Sequence, residues 1–157
     1  MDFITITQYF NKLQSALFLL LIAPLLVFIA LYVFVNGMPP DPRSEYFIIF
    51  PAVVLTDWLM AVIIFNKKIK SVRNEQGLGA KLAKYFSIAI VRYSLLSAGS
   101  LILALGLYLS GSDLFIVLYA VGLVLSTIVW PTGRRVCHDL RLKGDEREMV
   151  YYKKDNF

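Results

Sequence analysis

Two ionisable side chains stand among apolar neighbours, and they are the first places to look for chemistry. Residues 53–61 read VVLTDWLMA, which sets Asp57 in a stretch resembling the interior of a bilayer. Arg92 sits in the same way inside IAIVRYSLL, residues 88–96. An unpaired Asp in hydrocarbon costs roughly 2.5–3.5 kcal/mol on insertion scales, so its side chain must face protein or water, or be neutralised by a proton. Arg92 has two routes open. It can snorkel to the headgroup phosphates, or it can reach along its helix towards Asp57 in a charge-assisted, bidentate pair. The second route makes Asp57 and Arg92 a candidate intramembrane polar pair.

Other catalytic chemistry is thin. The chain has no H-E-x-x-H and no G-x-S-x-G, and Asp57 is the lone carboxylate within an apolar block, so a single copy cannot supply paired groups for acid–base work. One cysteine, Cys137, and one histidine, His138, exclude an internal disulfide framework. They equally exclude a zinc cage, a bis-histidine haem or an iron–sulfur cluster held by one chain. The expectation is a protein that is not an enzyme and uses no cofactor or metal.

The elements that must position these residues are legible from clustering. Of the 157 residues, 58% are hydrophobic and 17% charged, and the mean hydropathy is +0.66. The apolar residues fall into four blocks, about 13–35, 46–65, 85–109 and 114–130. Each is long enough, or nearly so in the last case, for the ~20 residues that cross a hydrocarbon core. This predicts an all-α integral membrane protein with four transmembrane helices in an antiparallel bundle, residues 1–131, followed by a cytoplasmic amphipathic tail, 132–157. The first block exceeds a signal peptide's apolar core and has no small-x-small site before Asn36-Gly37, so it is expected to remain as a span.

Charge sets the orientation. Lys12, the 66–84 segment and the tail carry fourteen of the sixteen Lys and Arg residues, against Arg43 on the other side and Arg92 within a block. The positive-inside rule then places both termini and the middle segment in the cytoplasm. Lys67, Lys68, Lys70, Arg134 and Arg135 are the candidate headgroup-facing cations. The net charge of +5 is read as attraction to anionic lipid, since no nucleic-acid-binding module accompanies it.

The connections have their own signals. GMPPDPRSE (37–45) is a stiff outer turn with three prolines. SGSD (110–113) forces a tight hairpin, with Asp113 a candidate helix cap. NKKIKSVRNEQGLGAKLAK (66–84) is either a solvated basic loop or, by its Ile69/Val72 and Leu78/Leu82 spacing, two helical extensions reversing near Gly77-Leu78-Gly79. In the tail, Val136 and Leu140 share a helical face, which predicts a short amphipathic helix on the membrane. Asp145, Glu146 and Glu148 are placed to meet the basic middle segment. Gly99 and Gly106 follow Arg92 at seven-residue steps, and Gly122 and Ser126 form a small-xxx-small pair, so these four are candidate helix-packing residues.

The segment KLAKYFSIAIVRYSLLSAG (81–99) resembles a loose group of small four-span bacterial membrane proteins with a K-L-x-K-Y…I-x-R-Y-x-L-L pattern. The resemblance implies a bacterial inner membrane and carries no activity. Two functions then compete. One is a non-catalytic subunit, assembly factor or scaffold of a larger inner-membrane complex, bound to lipids and to other membrane subunits or to itself. The other is a small proton-coupled transporter or ion pathway built on Asp57, broadly like the small multidrug transporters.

Overall fold

A computed structural model describes residues 5–35 and 45–153. The 37–45 turn up to and including Ser44, the 36–37 boundary and Lys154 lie outside the described residues. Among those described, the chain is all-helical: α1 (Ile6–Val35), α2 (Tyr46–Arg73), α3 (Leu78–Ser110), α4 (Leu114–Ile128), α5 (Gly133–Leu140) and α6 (Gly144–Tyr152). At 1.5 Å per residue, α1 and α2 are each above 40 Å long and α3 about 50 Å.

α3 is the axis of the molecule. Its buried residues Tyr85, Ala89, Arg92, Leu96, Gly99, Leu103, Gly106 and Ser110 alternate steps of four and three, the spacing that keeps a seam facing a partner helix. Ile88, Tyr93, Ala104 and Leu107 make a second buried face, so α3 packs on two sides while α1 and α2 pack mainly on one. The one-sided helices show the same rhythm: 54, 58, 61, 65, 69 and 72 in α2, and 115, 119, 122 and 126 in α4. Pro24 and Pro51 lie inside continuous helices, where the lost hydrogen bond does not break the turn.

α1, α2 and α3 are each long and apolar enough to cross a membrane. α4 has 15 residues and reaches that test only together with α5, from which it is bent by 75°. Among the described residues there are therefore three candidate spans of crossing length, or four if the bent pair is counted. The bend follows from Pro131, which lacks the N–H needed to continue the helix, and from Thr132, whose hydroxyl caps α5 by accepting from the Arg135 amide at 3.3 Å. Outward faces of α1, α2 and α4 are apolar, with Leu19, Val33, Ile48, Leu59, Val117 and Ile128 exposed. A water-soluble fold rarely leaves so large a continuous apolar surface; a bilayer is the natural cover for it.

The middle segment takes the helical of its two readings. α2 runs to Arg73, Gly77 turns with φ +86°, and α3 starts at Leu78, so the reversal falls at 74–77 and Gly79 is already helical. At the other end Gly111 ends α3 in the left-handed region at φ +62°. The cap expected from Asp113 is not made: its side chain accepts no hydrogen bond from α4, and Ser112 Oγ takes the Leu114 amide instead.

Two cores result. One lies at the end that holds the α2–α3 turn, α5 and α6, here called the basic end. It joins Tyr9, Phe10 and Leu13 of α1 to Phe65, Ile69 and Val72 of α2, Tyr85 of α3 and Val136, Leu140 and Val150. The other fills the apolar body with Phe28, Val54, Trp58, Leu96, Leu103, Phe115 and Tyr119. The tail thus differs from the lone surface helix that was expected. It is two helices folded back into a shared core, because Val136, Cys137 and Leu140 find apolar partners in the bundle.

Candidate functional site

In the apolar body, the α2 seam presents Val54, Trp58 and Ala61 to α3, and Asp57 stands at the edge of that face. Asp57 and Trp58 both turn towards Gly99. A methyl group on Gly99 would lie 2.9 Å from Asp57 Oδ2 and 3.0 Å from Trp58 Nε1. The far side of the indole reaches α4, where a Cβ on Gly122 would stand 2.8 Å from Trp58 Cζ2. One tryptophan therefore fills the space that two glycines leave, and locks α2 to α3 and α4. Beside it Tyr119 stacks on Phe28 of α1 with ring centroids 4.0 Å apart. Asp57 Oδ2, Trp58 Nε1 and Tyr119 Oη are all buried without a hydrogen-bond partner among the described residues. Thr56 adds nothing to the group, since its hydroxyl donates to the Ala52 carbonyl at 2.8 Å within its own helix.

The expected pair of Asp57 with Arg92 is not formed. Arg92 lies seven residues from Gly99, about 10 Å along the α3 axis towards the basic end, and its guanidinium covers the Phe65 ring at 4.4 Å. The charged groups near enough to act on it are Arg135 and Asp139, not Asp57. The physical reason is direction. Helical side chains on this seam meet α2 residues at their own level, and the level of Arg92 is that of Phe65, two turns beyond Asp57. A guanidinium over an aromatic face keeps its charge partly compensated.

Sequence reasoning missed the polar centre of the basic end, Asp139. Its Oδ2 accepts from the Tyr85 hydroxyl of α3 at 3.0 Å, and its backbone carbonyl accepts from Arg73 Nε of α2 at 2.7 Å. One residue of α5 thus ties the tail to both arms of the hairpin. The available signal was the i,i+4 relation of Arg135 and Asp139 in RRVCHDL. Lys81 joins Glu146 at 2.9 Å, which links α3 to α6, and Lys84 pairs with Glu75 across the turn. Tyr93 donates to the Ser126 carbonyl at 2.9 Å and meets Trp130 edge-on at 5.9 Å.

The four small residues are used within the chain. Gly99 and Gly122 receive Asp57 and Trp58, and Gly106 lies under the Phe115 ring. Ser126 donates to the Gly122 carbonyl at 2.9 Å. None of the four is left as a bare face for another helix. Lys67, Lys68, Lys70 and Arg134 are exposed. Arg135 is half-buried and donates to the Ile128 carbonyl at the end of α4, so it acts as a helix cap as well as a surface cation. Cys137 is buried with its thiol towards the Arg147 carbonyl, 3.6 Å away, while His138 beside it is exposed. Among the described residues no three His, Cys, Asp or Glu side chains gather as metal ligands.

No protein-family model matches the chain, and neither does any curated protein or solved structure. The fold and its two polar centres therefore define the protein at the level of class: an all-helical chain with three or four apolar candidate spans.

Proposed function

We propose that the chain is a non-catalytic small subunit, assembly factor or scaffold of a larger inner-membrane complex, a four-span bundle with both termini in the cytoplasm. One observation carries this reading. The hairpin end of α2–α3 and the α5–α6 tail form a single folded layer pinned at Asp139, and its outer surface is cationic through Lys67, Lys68, Lys70, Arg134 and Arg141. Such a layer offers a shaped, charged surface for other subunits and for anionic headgroups, and the positive-inside rule supports its cytoplasmic placement. Apolar faces on α1 and α2 remain available to lipid or to neighbouring helices. Purification in mild detergent at native expression, followed by mass determination, tests the reading. A larger assembly is expected; a lone monodisperse monomer overturns it.

A second reading is favoured by the unpaired Asp57 Oδ2. An ionisable group within a candidate span, with no ion-pair partner among the described residues, is a functional-site position by default, which supports a proton-coupled transporter or ion pathway. Asp57→Asn then abolishes proton-dependent flux in proteoliposomes and leaves folding intact. Loss of yield or of co-purifying partners, with no flux to lose, decides for the subunit.

A further inference from the structure

The cations of the basic end are not spread evenly over its surface. They converge on a groove of about 1060 Å³ between α5, α6 and the last turn of α2, which adjoins a smaller recess of about 550 Å³. Arg73 and Arg141 line both. Arg134, Lys143 and Arg147 line the larger one, and among the described residues a single carboxylate, Glu148, stands with them. None of these five cations has an ion-pair partner among the described residues. Like charges drawn from three separate segments into one concavity repel one another unless an anion occupies it.

Two further features say that the convergence is built. Arg73 is fixed by its Nε bond to the Asp139 carbonyl, and the two terminal nitrogens of this pre-oriented guanidinium meet no acceptor among the described residues. Arg141 ends α5 in the left-handed region at φ +54°, where glycine would be less strained. The chain accepts that strain and places a guanidinium where groove and recess meet.

We propose that this groove binds a dianionic phosphate group, a phosphomonoester or a diphosphate, held by Arg73, Arg134, Arg141 and Arg147. Guanidinium forks match phosphate oxygens in bidentate contacts, and several forks around one concavity suit a group with more than one charge. The last exposed large apolar residue of α2 is Ile63, and Arg73 lies ten residues beyond it, about 15 Å along the helix. The Arg73 wall therefore stands past the depth of ordinary lipid phosphates, within reach of a soluble ligand or a projecting headgroup. Lys67 and Lys68, nearer the apolar belt, are outside the groove.

The test uses the full chain in nanodiscs of neutral phosphatidylcholine, titrated calorimetrically with inorganic pyrophosphate, and in parallel nanodiscs containing phosphatidic acid. Two variants strip the groove: Arg134→Gln and Arg141→Gly. The second relieves the left-handed strain and is expected to keep or raise the melting temperature, so lost binding cannot be laid to unfolding. Saturable pyrophosphate binding that falls about tenfold in each variant, and is unchanged in Lys67→Gln/Lys68→Gln, supports a soluble ligand. Retention of phosphatidic acid alone, with the same sensitivity to the variants, supports a lipid headgroup. Pyrophosphate binding no tighter than sulfate binding, or binding lost equally in the Lys67/Lys68 variant, overturns the proposal. These outcomes are independent of the mass measurement that tests the subunit reading.

Discussion

Tyr85 and Tyr119 are both buried tyrosines at helix interfaces, and their hydroxyls meet opposite fates. Tyr85 donates to Asp139 at the basic end. Tyr119, in the apolar body, has no partner for its hydroxyl among the described residues, and neither do Trp58 Nε1 and Asp57 Oδ2. Around Asp139 the basic end is organised like the interior of a water-soluble domain, where a buried hydroxyl meets a carboxylate and the apolar residues pack around them. The body is held between helices by shape, through large rings seated on glycines; its serines bond within their own helices, and the polar atoms of Asp57, Trp58 and Tyr119 are left over. Packing of that kind is what lipid-covered helices have available, since the solvent around them is as apolar as their side chains.

The comparison breaks first if the body is not held by shape. Trp58 is the side chain that fills both glycine notches. Trp58→Ala is expected to destabilise the fold by about 3–5 kcal/mol through the cavity it leaves, read as a shift in unfolding by detergent titration. A loss below about 1 kcal/mol would mean that the notch is not a packing site. Gly99→Ala comes next, at about 1–3 kcal/mol, because the added methyl meets Asp57 and Trp58 at contact distances too short to keep. Gly79→Ala in the same helix meets nothing within 4 Å and should be neutral or stabilising by up to about 1 kcal/mol. The two large effects should not add. With the indole gone, the methyl on residue 99 has room, and the Trp58→Ala/Gly99→Ala double variant loses less than the two singles together.

Much of this was readable from composition and period. Three long apolar helices, the hairpin between α2 and α3 and the seven-residue spacing of Arg92, Gly99 and Gly106 all rest on local patterns that lipid and helical geometry enforce. What failed were statements about which side chain meets which. Pairing Asp57 with Arg92 assumed that two opposite charges in apolar surroundings must seek each other, but helix register puts Phe65 at the level of Arg92. Asp139 was hidden because its value comes from three elements meeting: α5 must fold back before Tyr85 and Arg73 can reach it. The tail's burial was hidden for the same reason. Val136 and Leu140 show one apolar face, and that face alone does not say whether lipid or protein covers it.

A smaller effect sharpens the contrast between the two tyrosines. Tyr85→Phe removes a hydrogen bond to a carboxylate and should cost about 1.5–3 kcal/mol. Tyr119→Phe removes a hydroxyl that bonds to nothing among the described residues, and should be neutral or stabilise slightly, because the buried polar atom carried a desolvation cost. Unfolding of the two single variants side by side checks both. Equal losses would show that Tyr119 has found a partner after all, and that the body satisfies its polar groups as the basic end does.

The last prediction asks whether the basic end is as tightly packed as its hydrogen bonds imply. Cys137 lies on the inner face of α5, 6% exposed, and burial pushes its thiol above the ordinary range, with the Arg147 charge opposing the shift. The thiolate is the reactive form, so the folded protein disfavours it twice, by access and by ionisation. The sign for stability follows: a group that holds its proton more tightly when folded contributes fully below the free-thiol value and loses that contribution as pH rises through the folded value. Maleimide labelling of Cys137 at neutral pH should therefore run at least about tenfold slower in the folded protein than in the unfolded chain. Tyr85→Phe, which loosens α5 from α3, should speed it. Labelling at the rate of a free thiol in the intact protein would mean that α5 is not docked. The Asp139 junction and the layer it organises would then fall together, while the Trp58 notch, on other helices, would stand untouched.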